Sequence, residues 1–397
     1  MMQRNILLVL VLLLGMNLHA QSFQIGHTTI TFMDSSRNNR NIATEIYYPA
    51  DMAGDNVALS SANTDKFPVL SFGHGFVMTW DAYKNIWEAV VPAGFIIAFP
   101  KTEGSISPSH SELGKDLAFV ITALTALGQN NTSLFYQRVD SMNTVMGHSM
   151  GGGAAFLAAQ FSPAVKTLAT LAPAETNPSA VQAAAGLSIP ALILAGGNDC
   201  ITPPLTNQLP MYNALPGSCK TYLHITGGSH CQMANNNLLC SFGEATCTPA
   251  PSITRAEQHA TINQYLIPWL KYTLKGDCLA GAQFDSLMAI DQAITFQKTC
   301  LLCNTIGIQE HQASTSVAVF PNPFHQTIFV QCGPSASKVV TIDLYSIAGK
   351  KLLSNTFSAV KAQATLELAW KENLPAGIYL LEVTTDGERR VQRIIKQ

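Results

Sequence analysis

Charge is scarce in this chain. Of its 397 residues only 12% are Asp, Glu, Lys or Arg, and the formal net charge is -2. That leaves neither a basic stripe for nucleic acid nor a strongly acidic face, and excludes both as partners. Long apolar runs are equally scarce. Ile6 to Leu14 is nine residues without a polar side chain, well short of the roughly 20 that a bilayer-spanning helix needs, and no other segment is long enough to span. Metal-ligand pairs are missing as well. Cys300-x-x-Cys303 has no second Cys or His pair nearby, so its spacing does not describe a zinc site. The chemistry read below calls for no metal and no cofactor.

What the N-terminus does have is Arg4, the apolar run, and then Leu18-His19-Ala20 before Gln21. This is the order of a secretory signal, charged, apolar and small, with a mature chain expected from Gln21. Nine cysteines agree with export, because disulfides persist in oxidising compartments. Eight of them lie between Cys200 and Cys303. Cys200 with Cys231, Cys240 with Cys247, and Cys300 with Cys303 are the pairs that position favours, but spacing alone does not fix connectivity.

The chemistry is concentrated at three turns. Gly147-His-Ser-Met-Gly-Gly-Gly153 follows the β-prone run Met142 to Met146; a strand, a sharp turn and a helix would lift Ser149 into view as a nucleophile. A hydroxyl needs a base to take its proton and a carboxylate to hold that base. The acid stands in Pro190-Ala-Leu-Ile-Leu-Ala-Gly-Gly-Asn-Asp199, where an unbroken apolar strand runs into glycines and leaves Asp199 at its carboxyl end. The base is His230, in Tyr222-Leu-His-Ile-Thr-Gly-Gly-Ser-His230. Serine, aspartate and histidine in that chain order fit the α/β-hydrolase arrangement. A fourth turn, His74-Gly75-Phe76, ends the strand from Phe67 and supplies the N–H of Phe76; with the N–H of Met150 it would make an oxyanion hole.

The rest of the chain is consistent with that placement. Phe23 to Phe32 and Ile42 to Pro49 alternate as a leading hairpin. Strands are expected at Phe67 to Phe72, Phe95 to Pro100, Thr144 to Met146, Val165 to Leu171, Ala191 to Ala195 and Lys220 to Ile225, separated by helical stretches such as Glu112 to Leu127. The reading is α/β, a doubly wound and mostly parallel sheet. About fifty residues part Ser149 from Asp199, enough for helix, strand and helix but no lid domain, so an open site suited to bulky substrates is expected. Thr254 and Glu257 make a capping box for the last helix, which contains Pro268. Beyond Asp277 a linker is expected. From Val317 the short runs Thr327 to Gln331, Val339 to Tyr345, Ala364 to Leu368 and Gly377 to Val383 read as a small β-sandwich, with Phe329, Tyr345 and Tyr379 at core positions. The organisation is thus a signal over 1–20, a catalytic domain over 21–303, a linker over 304–316 and a β-domain over 317–397.

Both halves resemble known families. Val319-Phe-Pro-Asn-Pro-Phe324, Ile342-Asp-Leu-Tyr-Ser-Ile-Ala-Gly-Lys350, Leu374-Pro-Ala-Gly-Ile-Tyr379 and the ending Arg393 to Gln397 resemble the C-terminal sorting domain of type IX secretion cargo. The resemblance implies recognition of the tail by the type IX machinery and a released or surface-attached product. Gly147 to Gly153, Asn198-Asp199 followed by Pro203, and Gly227 to His230 are similar to the motifs of poly(ethylene terephthalate) hydrolases and cutinases. That resemblance implies a serine ester hydrolase with Ser149, Asp199 and His230 as triad, Phe76 and Met150 as oxyanion donors, and Phe76 as one wall of the cleft. Where those enzymes usually carry a tryptophan, this chain reads Leu171-Ala-Pro-Ala-Glu-Thr176. Glu175 is therefore expected to face the cleft, with Trp80 either a partly compensating aromatic or packed on the surface. The competing readings are an esterase or lipase of soluble or lipid esters, chlorophyllase-like or platelet-activating-factor-hydrolase-like, and a silent surface adhesin. A monomer is expected.

Overall fold

In a computed structural model the chain is described over residues 23–61, 66–217, 219–300, 318–332, 337–346, 350–369, 374–385 and 388–396. The expected signal, the linker and Cys303 lie outside the described residues. The chain divides into two compact units, 1–303 and 304–397.

The first unit is built on one ten-stranded sheet. In chain order it contains β1 (Gln24–Asp34), β2 (Arg40–Ala50), β3 (Gly54–Asp55), β4 (Phe67–Gly73), α1 (Lys84–Val90), β5 (Ile96–Pro100), α2 (His110–Leu127), β6 (Val139–His148), α3 (Met150–Phe161), β7 (Thr167–Leu171), α4 (Ala180–Ala184), β8 (Ala191–Gly196), α5 (Gln208–Ala214), β9 (Lys220–Ile225), α6 (Leu238–Glu244), α7 (Arg255–Lys275), α8 (Cys278–Ile290) and β10 (Ile294–Lys298). The strands lie in the order β10-β9-β8-β7-β6-β4-β5-β2-β1-β3. Strands β5, β4, β6, β7, β8 and β9 run parallel, and β2 and β10 flank them antiparallel. Every residue of β4, β5, β7 and β8 is buried, as continuous apolar strands require when helices cover both faces. One face packs against α2, α3, α4 and α5 through Leu117, Leu157, Ala183 and Met211. The other packs against α1, α7 and α8 through Ile86, Trp269 and Phe284.

The direction of winding reverses at β4: β5 lies on one side of it and β6 on the other. In open α/β sheets such a switch point opens a crevice at the carboxyl ends of the strands. Here those ends carry His74-Gly75-Phe76 and Ser149.

The chain beyond Asp277 is not a linker, as its lack of periodicity implies. Asp277 caps α8, its carboxylate accepting from the amides of Leu279 and Ala280, and β10 then adds an edge strand to β9. That strand is five residues long and buries only Ile294, so it has little apolar face to mark it in sequence.

The second unit holds two antiparallel sheets, β11-β12-β15 and β14-β13-β16-β17, from β11 (Ala318–Phe320), β12 (Thr327–Gln331), β13 (Ser337–Ser346), β14 (Lys351–Val360), β15 (Thr365–Ala369), β16 (Gly377–Thr385) and β17 (Glu388–Lys396). Phe324, Ile328, Ile342, Leu344, Leu381 and Ile394 fill its core. Tyr379 is buried, whereas Phe329 and Tyr345 are only partly so; their strands leave one side to solvent.

Candidate active site

The serine sits where its neighbours leave no alternative. Ser149 has φ 55° and ψ -121°, a region a side chain rarely occupies and one that marks a strained, functional turn. Its carbonyl accepts from the amides of Gly153 at 3.0 Å and Ala174 at 2.9 Å, and its own amide donates to the Leu171 carbonyl at 3.0 Å. Those bonds hold the turn against its strain. The flanking glycines are there for contact: a Cβ on Gly151 would lie 2.1 Å from the Gly73 carbonyl oxygen, and one on Gly147 would lie 2.3 Å from the Gly151 backbone. The elbow is thus pressed onto β4.

The acid and the base are joined. His230 Nδ1 donates to Asp199 Oδ2 at 2.8 Å. The same carboxylate accepts from the amides of Ile201 and Thr202 and from the Thr202 hydroxyl at 2.9 Å. With its acceptor sites filled, the buried carboxylate stays in place and sets the tautomer of the ring, leaving His230 Nε2 as the basic nitrogen. Neither His230 Nε2 nor Ser149 Oγ has a hydrogen-bond partner among the described residues. Catalytic bonds are often loose before substrate arrives.

The residue before Ser149 ties the elbow to the His230 loop. His148 Nε2 donates to the His230 carbonyl at 3.2 Å, and the two rings lie 4.6 Å apart between centroids. A carbonyl only accepts, so Nε2 of His148 carries the proton and Nδ1 accepts, from Tyr83 Oη at 3.1 Å. Tyr83 Oη in turn accepts from the Gly75 amide at 2.7 Å. One chain of bonds therefore ties the Gly75-Phe76 turn, the elbow and the His230 loop together. Burial, and next the nearby His230, hold the His148 pKa well below the ordinary histidine value, so the ring is neutral. On the other side of His230, Gln258 of α7 accepts from the Ser229 amide and donates to the Ser229 carbonyl, both at 2.8 Å.

The amides of Phe76 and Met150 have no hydrogen-bond partner among the described residues. The Phe76 side chain is 49% exposed.

Two residues expected at the cleft are used elsewhere. Glu175 turns its carboxylate to the start of α4, where Oε2 accepts from the Val181 amide at 3.1 Å; a helix N-terminus attracts a carboxylate more strongly than open solvent does. Trp80 donates from its indole to Tyr47 Oη at 3.2 Å and lies under the Lys101 ammonium, 5.1 Å from the ring centre, so it packs on the β2 and β5 side.

The disulfides also differ from the pairs that position favours. They join Cys200 to Cys247, Cys231 to Cys240 and Cys219 to Cys300. The residues after Asp199 and His230 are each bridged, but to the segment around α6 rather than to one another. That segment folds back over both loops, which nothing in the spacing foretells. Cys278 is disulfide-bonded and Cys332 is a free, buried thiol. Among the described residues no cluster of His, Cys, Asp or Glu could hold a metal ion, and no helix is long and apolar enough to cross a membrane.

Sequence reasoning missed Tyr83, His148, Thr202 and Gln258. Only Thr202 left a trace, since Asp-x-x-Thr before proline is the signature of a side-chain-capped turn.

Comparison with known proteins identifies the family of each unit. The profile described as PET hydrolase-like matches residues 19–279, and that of the secretion system C-terminal sorting domain matches 318–397. Cutinase 2 of Thermobifida cellulosilytica is 25% identical over 232 residues, 58% of this chain and 77% of its own length. Cutinase cut1 of Thermobifida fusca is 25% identical over 232 residues, 58% of this chain and 63% of its own. A bis(hydroxyethyl) terephthalate hydrolase of Streptomyces coelicolor is 25% identical over 234 residues, 58% of this chain and 62% of its own. The aligned stretch thus spans less than two thirds of two of these three relatives.

Proposed function

Because the chain belongs to the PET hydrolase-like family, we propose that it is a secreted serine carboxylic-ester hydrolase acting on polyester or similarly bulky esters through Ser149, Asp199 and His230. The observation that carries the reading is the 2.8 Å bond from His230 Nδ1 to a fully engaged Asp199, beside a serine in a strained elbow. In the proposed mechanism His230 Nε2 takes the Ser149 proton as Oγ attacks the ester carbonyl. The amides of Phe76 and Met150 receive the oxyanion, and Asp199 stabilises the imidazolium. His230 then gives the proton to the leaving alkoxide, and water repeats the attack on the acyl-enzyme. The relatives named as cutinases and as a terephthalate-ester hydrolase support esters of this kind.

The sorting domain supports type IX secretion and an extracellular or surface location. We read residues 1–20 as the signal that starts that route, and the enzyme as a monomer. A second reading, a soluble-ester esterase, is favoured by one observation: the loop after β7, Leu171-Ala-Pro-Ala-Glu-Thr176, carries no aromatic side chain.

One assay separates the two. Amorphous poly(ethylene terephthalate) film and a short-chain ester are offered to the enzyme and to Ser149→Ala. Soluble acid released from film by the parent alone supports the polyesterase; turnover confined to the short ester supports the second reading. Turnover that survives Ser149→Ala overturns the triad.

A further inference from the structure

Helix α6 is held in place without a core of its own. None of its seven residues is buried, although three are large and apolar: Leu238 and Phe242 are each 82% exposed and Leu239 is exposed beside them. Burying an apolar face is what normally fixes a helix this short. Covalent and polar links replace that face here. Cys240 is bridged to Cys231 and Cys247 to Cys200. Glu244 accepts from the Ser229 hydroxyl and from the Cys231 amide, each at 3.1 Å. Every one of these anchors falls on a residue next to Asp199 or His230.

A second exposed apolar stretch adjoins it. Ile201 and Leu205 lie just after Asp199 and Cys200 in the chain, and Leu205 is 79% exposed. A Cβ on Gly243 of α6 would lie 3.8 Å from Ile201 Cδ1, so the two segments touch. Charge is scarce in both. Residues 200–219 contain no Asp, Glu, Lys or Arg, and residues 231–254 contain only Glu244, whose two carboxylate oxygens are both turned to the His230 loop. An apolar patch kept in water is costly and marks a surface that meets something.

We propose that Ile201, Leu205, Leu238, Leu239 and Phe242 form an adsorption rim that seats the enzyme on a solid, uncharged polyester, with the site beside it. This rests on the polyester reading above and adds how the substrate is engaged. The rim is linked to the loops that carry Asp199 and His230, so a surface that covers it lies close to those loops. Its lack of charge matches a neutral ester polymer. A lipid bilayer is met by helices whose polar face is rich in Lys and Arg, and this rim has none. The disulfides make the rim rigid, which lowers the ordering cost of adsorption.

The test uses the full secreted chain. Leu238→Ser/Phe242→Ser is compared with the parent for depletion from solution by amorphous polyester film, both carrying Ser149→Ala so that the film stays intact. The film partition constant is expected to fall about tenfold or more, since about 1.4 kcal/mol of lost apolar contact suffices for that. Leu205→Ser, on the other segment, is expected to reduce it independently. The same substitutions in the active enzyme are followed with a soluble short ester, whose turnover reports folding and is expected to hold within about twofold. Film adsorption unchanged in both variants overturns the proposal. So does adsorption to phosphatidylcholine or phosphatidylglycerol vesicles that matches adsorption to film, or a fall in sedimenting mass on substitution, which would assign the rim to a second copy. Failure of the parent to turn over the soluble ester strikes the functional reading instead, and leaves the adsorption result standing by itself.

Discussion

His148 Nε2 donates to the backbone carbonyl of His230 at 3.2 Å, so the residue immediately before the proposed nucleophile holds the loop of the proposed base. Tyr83 completes the link by donating to His148 Nδ1 and accepting from the Gly75 amide. One chain of hydrogen bonds therefore joins these three turns.

Tyr83→Phe tests this link. It leaves the buried Gly75 N–H and His148 Nδ1 without partners, at about 1–3 kcal/mol for each unpaired group. The expected outcome is a fall in kcat of roughly tenfold with little change in KM, because about 1.4 kcal/mol of barrier corresponds to tenfold. Steady-state kinetics on a soluble ester reads it, and an unaltered kcat would show that the link does not position the loops.

Thr202 supplies Asp199 with an amide and a hydroxyl. Thr202→Val keeps the shape and removes the hydroxyl bond, whose net value is about 1 kcal/mol. Turnover of a soluble ester is expected to fall severalfold, read by steady-state kinetics. A kcat/KM equal to the parent's would refute the role.

The Cys200–Cys247 bridge closes a separation of 47 residues. Replacing both cysteines by serine is expected to cost about 2–4 kcal/mol of stability, as loops of this length do. The change is read as a lowered Tm by calorimetry. An equal Tm would mean that the unfolded chain is not restrained by this bridge.

Acid is expected to weaken the fold in two stages. Burial keeps folded His148 neutral, whereas the unfolded chain takes up that proton below about 6.5. The unfolded state then binds more protons, so stability present at higher pH declines as pH drops below that value. A second loss follows at lower pH. Burial alone would raise Glu45, but bonds from Lys101, Thr29 and His27 outweigh it and hold the carboxylate below its usual range. Glu112 is lowered by Lys115, against burial, and by Arg37. Both contributions are present above the unfolded carboxylate range of about 4 and vanish as pH falls through the folded values. Calorimetry from pH 8 to pH 3 reads both stages; a Tm that does not change between pH 7 and pH 5 would contradict the first.

The strands that carry the site were legible because each is a short β-prone run that leads into a glycine turn. Phe67 to Phe72, Ala191 to Ala195 and Lys220 to Ile225 all appear where the pattern puts them, and Thr254 and Glu257 do form the capping box. β10, β14 and β17 were not legible, since edge and half-exposed strands carry no consistent apolar face. Glu175 and Trp80 were read for what their side chains can do near a cleft. Where they point is set by Val181 and by Tyr47.

By itself the sequence determined the sheet, the order Ser149, Asp199, His230 and the tail, because apolar periodicity and turn glycines act over a few residues. Only the tertiary structure decided which cysteines pair, which way Glu175 faces, and that Tyr83, His148, Thr202 and Gln258 support the site. Several of those choices join residues far apart in the chain, 47 positions for Cys200–Cys247 and 65 for Tyr83 and His148, and such contacts exist only after the sheet has brought its loops to one edge.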